Sequence, residues 1–208
     1  MGNPTWEALE KCVGSLEGGN HCIAFSAGCS CTMIITHLLK SGDHIVCVDD
    51  VYGGTGRFFR RIAAEVYGMT VDFVDMTNLD NLKKAIKKNT KLVWLETPTN
   101  PTLKVIDIKA ATKICKDRGV ISVVDNTFLS PYFQQPLKLG ADIVIHSATK
   151  YLGGHADIVM GFVITNNKEL FDKIFFYGFA IGPVPSPFDC YLVLRSLKTL
   201  KVWMEGIN

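Results

Sequence analysis

Short apolar runs alternate with segments of helical period along the whole chain, and this alternation constrains the fold more than any other feature. The runs are Cys22 to Phe25, His44 to Val48, Thr70 to Val74, Leu92 to Leu95, Val120 to Val124, Ile143 to Ile145 and Met160 to Thr165. Several are nearly unbroken apolar stretches, as strands covered on both faces are. Helical signals fill the gaps. Asn3-Pro4 reads as an N-cap and first helical residue, and Gly18-Gly19 ends that helix. Further helices are predicted from Ser30 to about Lys40, over Thr55 to Tyr67, Leu79 to Lys88, Ile108 to Arg118 and Lys168 to Tyr177. Ser186-Pro187 opens a last predicted helix to about Glu205. Its Leu192, Leu194, Leu197, Leu200, Trp203 and Met204 are apolar over more than one face, so something must cover it. Strands alternating with helices mean an α/β domain, a mostly parallel sheet flanked by helices. At 208 residues the chain can bury one full core, and a single domain over 1–208 is expected.

In open parallel sheets ligands bind outside the carboxyl ends of the strands. The residues just after each apolar run therefore carry the search for chemistry. After the first come Ala27-Gly28-Cys29, where glycine and a helix start suit an anion. Taken alone, this reads better as an ordinary strand-to-helix turn. After the second, Tyr52 precedes Gly53-Gly54, and its ring could lie open over a flat ligand or pack on its own loop. The third such loop, Glu96-Thr97-Pro98-Thr99-Asn100-Pro101, restrains Asn100 between two prolines, although Asn-Pro is also a plain turn signal. Asp125 directly follows a buried run, where a carboxylate is costly unless a cation or donor meets it, and Thr127 stands beside it. After the sixth run comes Ser147-Ala148-Thr149-Lys150. A lysine at the end of a buried strand is expected to be desolvated, and such an amine can attack an aldehyde to form a Schiff base. Ser147 and Thr149 offer hydroxyls for a phosphate. A phosphate cradle, a stacking ring, a polar donor, an anion for a pyridine nitrogen and a lysine together describe a site for pyridoxal 5′-phosphate, with Lys150 as its carrier.

Other classes fit less well. A net charge of +2 with no basic run gives no footprint for nucleic acid. No apolar stretch reaches the length of a membrane span, and no leader-like segment precedes Asn3, so a cytoplasmic protein is expected. Seven scattered cysteines suit a reducing compartment. Cys29 and Cys31 lack zinc-ligand spacing and the five histidines form no ligand pair, so no metal is expected. A nicotinamide-dependent oxidoreductase would need a glycine fingerprint, and Phe59 occupies the third glycine's place in the one candidate.

The segments Asp50-Val51-Tyr52-Gly53-Gly54-Thr55, Glu96 to Pro101, Val124-Asp125-Asn126-Thr127-Phe128 and Ser147 to Tyr151 resemble the motifs of the cystathionine γ-lyase and γ-synthase family. Pro185-Ser186-Pro187 and Leu197-Lys198-Thr199-Leu200 extend the likeness over essentially the whole chain. The resemblance implies the large domain of fold-type I pyridoxal-phosphate enzymes. It implies that Lys150 carries the cofactor and moves protons, that Tyr52 stacks on the ring and assists, that Asp125 pairs with the pyridine nitrogen and that Asn100 binds the ring oxygen. Gly28, Cys29, Ser147 and Thr149 would hold the phosphate. The implied reaction is α,γ-elimination of L-cystathionine to cysteine, 2-oxobutyrate and ammonia, with γ-replacement, β-cleavage or a catalytically poor cofactor-binding form as alternatives. A homotetramer acting on a sulfur amino acid is implied too. Three departures stand out. Ala27 and Cys29 replace the family's serine and its leucine or methionine, and Ser196 replaces a glycine. An N-terminal Tyr-x-Arg arm and a small C-terminal domain are expected to be missing.

Overall fold

The computed structural model describes residues 2–207. Seven strands form one sheet: β1 (His21–Phe25), β2 (His44–Val48), β3 (Thr70–Val74), β4 (Thr90–Glu96), β5 (Ile121–Asp125), β6 (Ile143–Ser147) and β7 (Gly161–Thr165). Their spatial order is β1-β7-β6-β5-β4-β2-β3. The pairs β2/β3, β2/β4, β4/β5 and β5/β6 are parallel, whereas β7 runs antiparallel to both β6 and β1. Every residue of β2 and β7 is buried, which explains their apolar composition.

Helices cover both faces of the sheet. Helix α1 (Pro4–Glu17) starts where Asn3 accepts a hydrogen bond from Thr5 N–H and stops at Gly18 with φ +75°. Helices α2 (Gly28–Thr36), α4 (Leu79–Ala85) and α5 (Ile108–Asp117) follow strands β1, β3 and β4. A main core joins Ile34 and Ile35 of α2 and Ala111 and Cys115 of α5 to strands β2, β4 and β5. A second cluster lies on the other face of the β1/β7 end. There Leu9 and Val13 of α1 meet Ala24, Phe162 and Ile164. Neighbouring residues Ile23 and Val163 point into the main core, as strand alternation requires.

Several expected helices differ. Helix α2 begins two residues earlier, at Gly28, and ends at Thr36 rather than near Lys40. The segment expected as one helix over Thr55 to Tyr67 is α3 (Gly53–Phe58) followed by a π-helical turn, Phe59–Ala63. The wider turn places Phe59 and Ala63 both in the core. Short helix α6 (Ser130–Phe133) and a 3-10 turn, Pro136–Leu139, occupy a stretch with no assigned element. Helix α7 (Lys168–Ile181) runs past Tyr177 to Gly182. The expected last helix is broken: α8 (Pro187–Ser196) gives way to a 3-10 turn at Leu197–Thr199 and then α9 (Leu200–Gly206). The break lets Cys190 and Val193 join the cluster with α1, while Leu200 and Met204 are buried after it.

Candidate active site

The carboxyl ends of β1, β2, β4, β5 and β6 converge on one cleft with about 820 Å³ of empty space, its open mouth included. That size suits a small-molecule site. Gly28, Cys29, Tyr52, Asn100, Asp125, Thr127, Ser147, Thr149 and Lys150 all line it.

At one end, Gly28 opens α2. Ala27 precedes it in extended conformation and supplies no side-chain cap, so helix N–H groups remain available to an anion. A Cβ on Gly28 would come within 3.0 Å of the Ser147 Cβ and 3.1 Å of its Oγ. Glycine there allows the helix start to approach the Ser147 hydroxyl. The Ser147 N–H donates to Thr127 Oγ1 at 2.8 Å, which joins β6 to the loop after β5. The Thr149 hydroxyl engages the Met160 backbone at 3.3–3.5 Å. Cys29 is exposed at the rim.

The floor is anionic. Asp125 is 9% exposed, and its Oδ1 accepts from the Thr127 N–H at 3.0 Å and from Thr127 Oγ1 at 2.5 Å. Burial raises its pKa above the ordinary carboxylate range, against the pull of the Thr127 donors and of nearby His146. Behind it His146 Nε2 lies 2.7 Å from Glu17 Oε2, both side chains buried. The Asn126 amide donates to the same Glu17 oxygen at 3.2 Å and to Gln134 O at 2.7 Å. This network spans α1, β6 and the loop after β5, directly behind Asp125.

Two loops frame the cleft. Tyr52 precedes α3, is 44% exposed and lines the cleft, its ring lying against Gly54 of its own loop. A Cβ on Gly54 would run into that ring. Asp50 ties the loops together: it accepts from Thr99 Oγ1 at 2.6 Å, from the Thr102 N–H at 2.9 Å and from the Thr102 hydroxyl. Asn100 sits inside the loop so tethered.

Lys150 departs from expectation. It is exposed at the cleft's mouth rather than buried at a strand end. The reason is local: β6 ends at Ser147, and a turn follows in which the Lys150 N–H donates to Ser147 O at 3.2 Å. Sequence reading also passed over Glu96, Thr32, Thr55 and Val159 as lining residues. For Glu96 a signal existed, since it ends β4 as Asp125 ends β5.

The cleft suits pyridoxal phosphate by its donor set: an uncapped helix start beside a serine hydroxyl for the phosphate, a buried carboxyl for a cationic ring nitrogen, and an amine at the mouth. Among the described residues, no group of three or more His, Cys, Asp or Glu is placed to hold a metal ion. No helix among them is long and apolar enough to cross a membrane.

Known proteins agree with this geometry. The family model described as Cys/Met metabolism PLP-dependent enzyme matches residues 1–208. The chain is similar to the cystathionine gamma-lyase of Homo sapiens, 56% identical over 205 residues that cover 98% of this chain and 50% of the relative. It is 50% identical over 203 residues to a probable cystathionine gamma-synthase of Herpetosiphon aurantiacus, covering 98% of this chain and 63% of that one. The solved cystathionine gamma-lyase of Lactobacillus plantarum, complexed with L-serine, superposes with a TM-score of 0.95 at 43% identity, over 97% of this chain and 52% of its own. The chain thus spans about half the length of most of these relatives. A seven-stranded sheet with helices on both faces, a cleft at its strand ends, and identity at this level over nearly every residue have one common explanation: the chain belongs to the Cys/Met metabolism PLP-dependent enzyme family, whose large domain has the fold of fold-type I enzymes.

Proposed function

We propose that this chain is the cofactor-binding part of a pyridoxal-phosphate-dependent carbon–sulfur lyase that cleaves L-cystathionine by α,γ-elimination to cysteine, 2-oxobutyrate and ammonia. The observation that carries the proposal is the convergence of nine residues from five strand ends on one cleft, in a chain of this family. Gly28, Cys29, Ser147 and Thr149 would hold the phosphate, Asp125 the pyridine nitrogen, Asn100 the ring oxygen and Tyr52 the ring face. Lys150 would carry the aldehyde carbon. When bound, the cofactor supplies an electron sink for negative charge at the substrate's α-carbon.

The remaining work falls to side chains of this chain. Thr127 holds the Asp125 carboxyl with two hydrogen bonds, so the charge that faces the ring is fixed before ligand arrives. Lys150 stands in an open turn at the mouth, where its amine can reach both cofactor and substrate and move a proton at the α-carbon. The proton for the departing sulfur would come from the Tyr52 hydroxyl or a group beside it, and the place of Tyr52 in the cleft wall supports that role.

The test adds pyridoxal phosphate and L-cystathionine to the purified chain. A lysine-bound chromophore is expected, absent in Lys150→Ala, and 2-oxobutyrate is the expected product. The same chromophore in the variant would refute the assignment of Lys150. Homocysteine and pyruvate instead would mark β-cleavage. The similarity to a gamma-synthase makes γ-replacement the second reading, and a product formed only with an added thiol or amino-acid acceptor would identify it.

The proposal extends to assembly and placement. Phe175, Phe176 and Phe179 of α7 and Phe188 and Tyr191 of α8 are exposed, which supports a second copy of the chain packing there in a homo-oligomer, a tetramer by resemblance. Seven free cysteines support a reducing, cytoplasmic setting.

A further inference from the structure

Two buried carboxyls stand side by side on the cleft floor. Glu96 closes β4 and Asp125 closes β5, and they are in-register partners on adjacent parallel strands. Both side chains therefore leave the sheet on the same face, from backbones about 5 Å apart. Glu96 is 5% exposed and Asp125 9%. Among the described residues no lysine or arginine pairs with either.

Their hydrogen bonds divide the work. Asp125 takes both donors of Thr127. Glu96 Oε2 accepts the Tyr52 N–H at 3.0 Å, and the backbone N–H of Asn100 faces the same carboxyl. Glu96 thus touches the backbone of both loop residues that frame the ring site, and it neighbours Asp125, the third group of that site.

We propose that Glu96 is a positioning residue: with Asp125 it forms a carboxyl pair that holds one proton, and Glu96 keeps that proton so that Asp125 stays charged towards the cofactor while a Glu96 oxygen anchors Tyr52. This inference rests on the cofactor assignment above and deepens it. Two buried carboxylates this close cannot both ionise without a large repulsion. The proton settles where the surroundings favour the charge less, and the pair titrates as a unit. Asp125 has the hydroxyl and amide of Thr127, with His146 of β6 nearby. Glu96 has backbone donors only, and Asp50 of the β2–α3 loop adds to the repulsion. Burial, then the charge of Asp125, pushes Glu96 up to about 8. The other titratable neighbours are Cys47 of β2, which faces Glu96, Cys31 of α2, which faces Asp125, and Lys150, which lines the same cleft.

The experiment uses the full chain and two readouts. One is a carbon-13 NMR titration of the side-chain carboxyls without cofactor. The other is the affinity for pyridoxal phosphate as a function of pH, followed by fluorescence quenching. Wild type is expected to show a carboxyl step near pH 8. E96Q abolishes that step but retains an acceptor for the Tyr52 N–H. D125N removes the repelling charge, so the step moves to lower pH. E96A leaves the Tyr52 N–H without its acceptor, and it is expected to bind the cofactor about tenfold more weakly than E96Q. A step that survives in E96Q, or stays in place in D125N, overturns the carboxyl pair. Equal affinity in E96A and E96Q overturns the anchoring. Failure of the wild type to bind pyridoxal phosphate at any pH, with the NMR step still moving in D125N, would refute the cofactor assignment and leave the pair standing.

Discussion

Asp125 is where burial and charge bear most directly on binding. A carboxyl at 9% exposure that, among the described residues, pairs with no lysine or arginine is a cost that a cationic ring nitrogen would offset. Asp125→Asn is therefore expected to weaken pyridoxal-phosphate binding at least tenfold, measured by absorbance titration, with the fold intact by circular dichroism. Glu10 of α1 shows the opposite case, a half-buried carboxyl outside the site. Its Oε1 accepts the Ala24 N–H at 2.9 Å, and burial raises it from an ordinary 4.5 to about 7. The folded chain keeps this proton while the unfolded chain loses it, so stability falls as pH rises from 4.5 to 7. Glu10→Gln keeps the acceptor and removes the charge. It is expected to stabilise the chain by about 1–3 kcal/mol above pH 7 and by almost nothing below pH 4.5, read from melting curves at each pH. At this scale the sequence was a good guide to identity. Asp125, Asn100 and Tyr52 were found by position after an apolar run. It misjudged environment: Lys150 is exposed because a three-residue turn separates it from β6, and run length alone does not show where a strand stops.

Among elements, the loops after β2 and β4 act as one unit because Asp50 joins them. Against the cost of burial, the Thr102 and Thr99 donors hold Asp50 below the usual carboxylate range. Asp50→Ala should free the segment that carries Asn100. Faster amide exchange over 99–104 and severalfold weaker cofactor binding are expected, and unchanged exchange would show that the prolines alone hold the loop. Gly54→Ala tests the other loop. Its Cβ would collide with the Tyr52 ring, so the ring must move off the cleft, with cofactor affinity reduced about tenfold at little cost in melting temperature. Element types were legible from period and punctuation, but their breaks were not. The α8–α9 junction and the π turn after α3 keep apolar residues at three- and four-residue spacing throughout. A tightened or widened turn therefore leaves the pattern readable as one helix.

Across the whole molecule, the exposed rings of α7 and α8 are the largest apolar liability. If a second copy covers them, sedimentation at micromolar concentration should give a species heavier than the 23.0 kDa chain. The double change Phe176→Glu and Phe179→Glu should shift it towards monomer. A monomer in wild type would leave those exposed rings to another partner. The last predicted helix was read as needing a cover, and part of it has one within the chain: Leu197, Leu200 and Met204 are buried, with Cys190 and Val193, and Leu192 and Leu194 are partly buried. Trp203 lies against His155 with ring centroids 5.7 Å apart, and Ser196 bonds to His155 Nδ1 at 2.9 Å.

By itself the sequence determined the class of fold and nine of the residues that line the cleft. Both follow from local chemistry: apolar period, turn residues, and polar groups placed after apolar runs. Only the tertiary structure decided which strands are neighbours, that β7 enters antiparallel between β1 and β6, and that Glu96 and Asp125 end up shoulder to shoulder. Pairing between distant segments is chosen by burial summed over the whole sheet, and no short stretch of chain carries that sum.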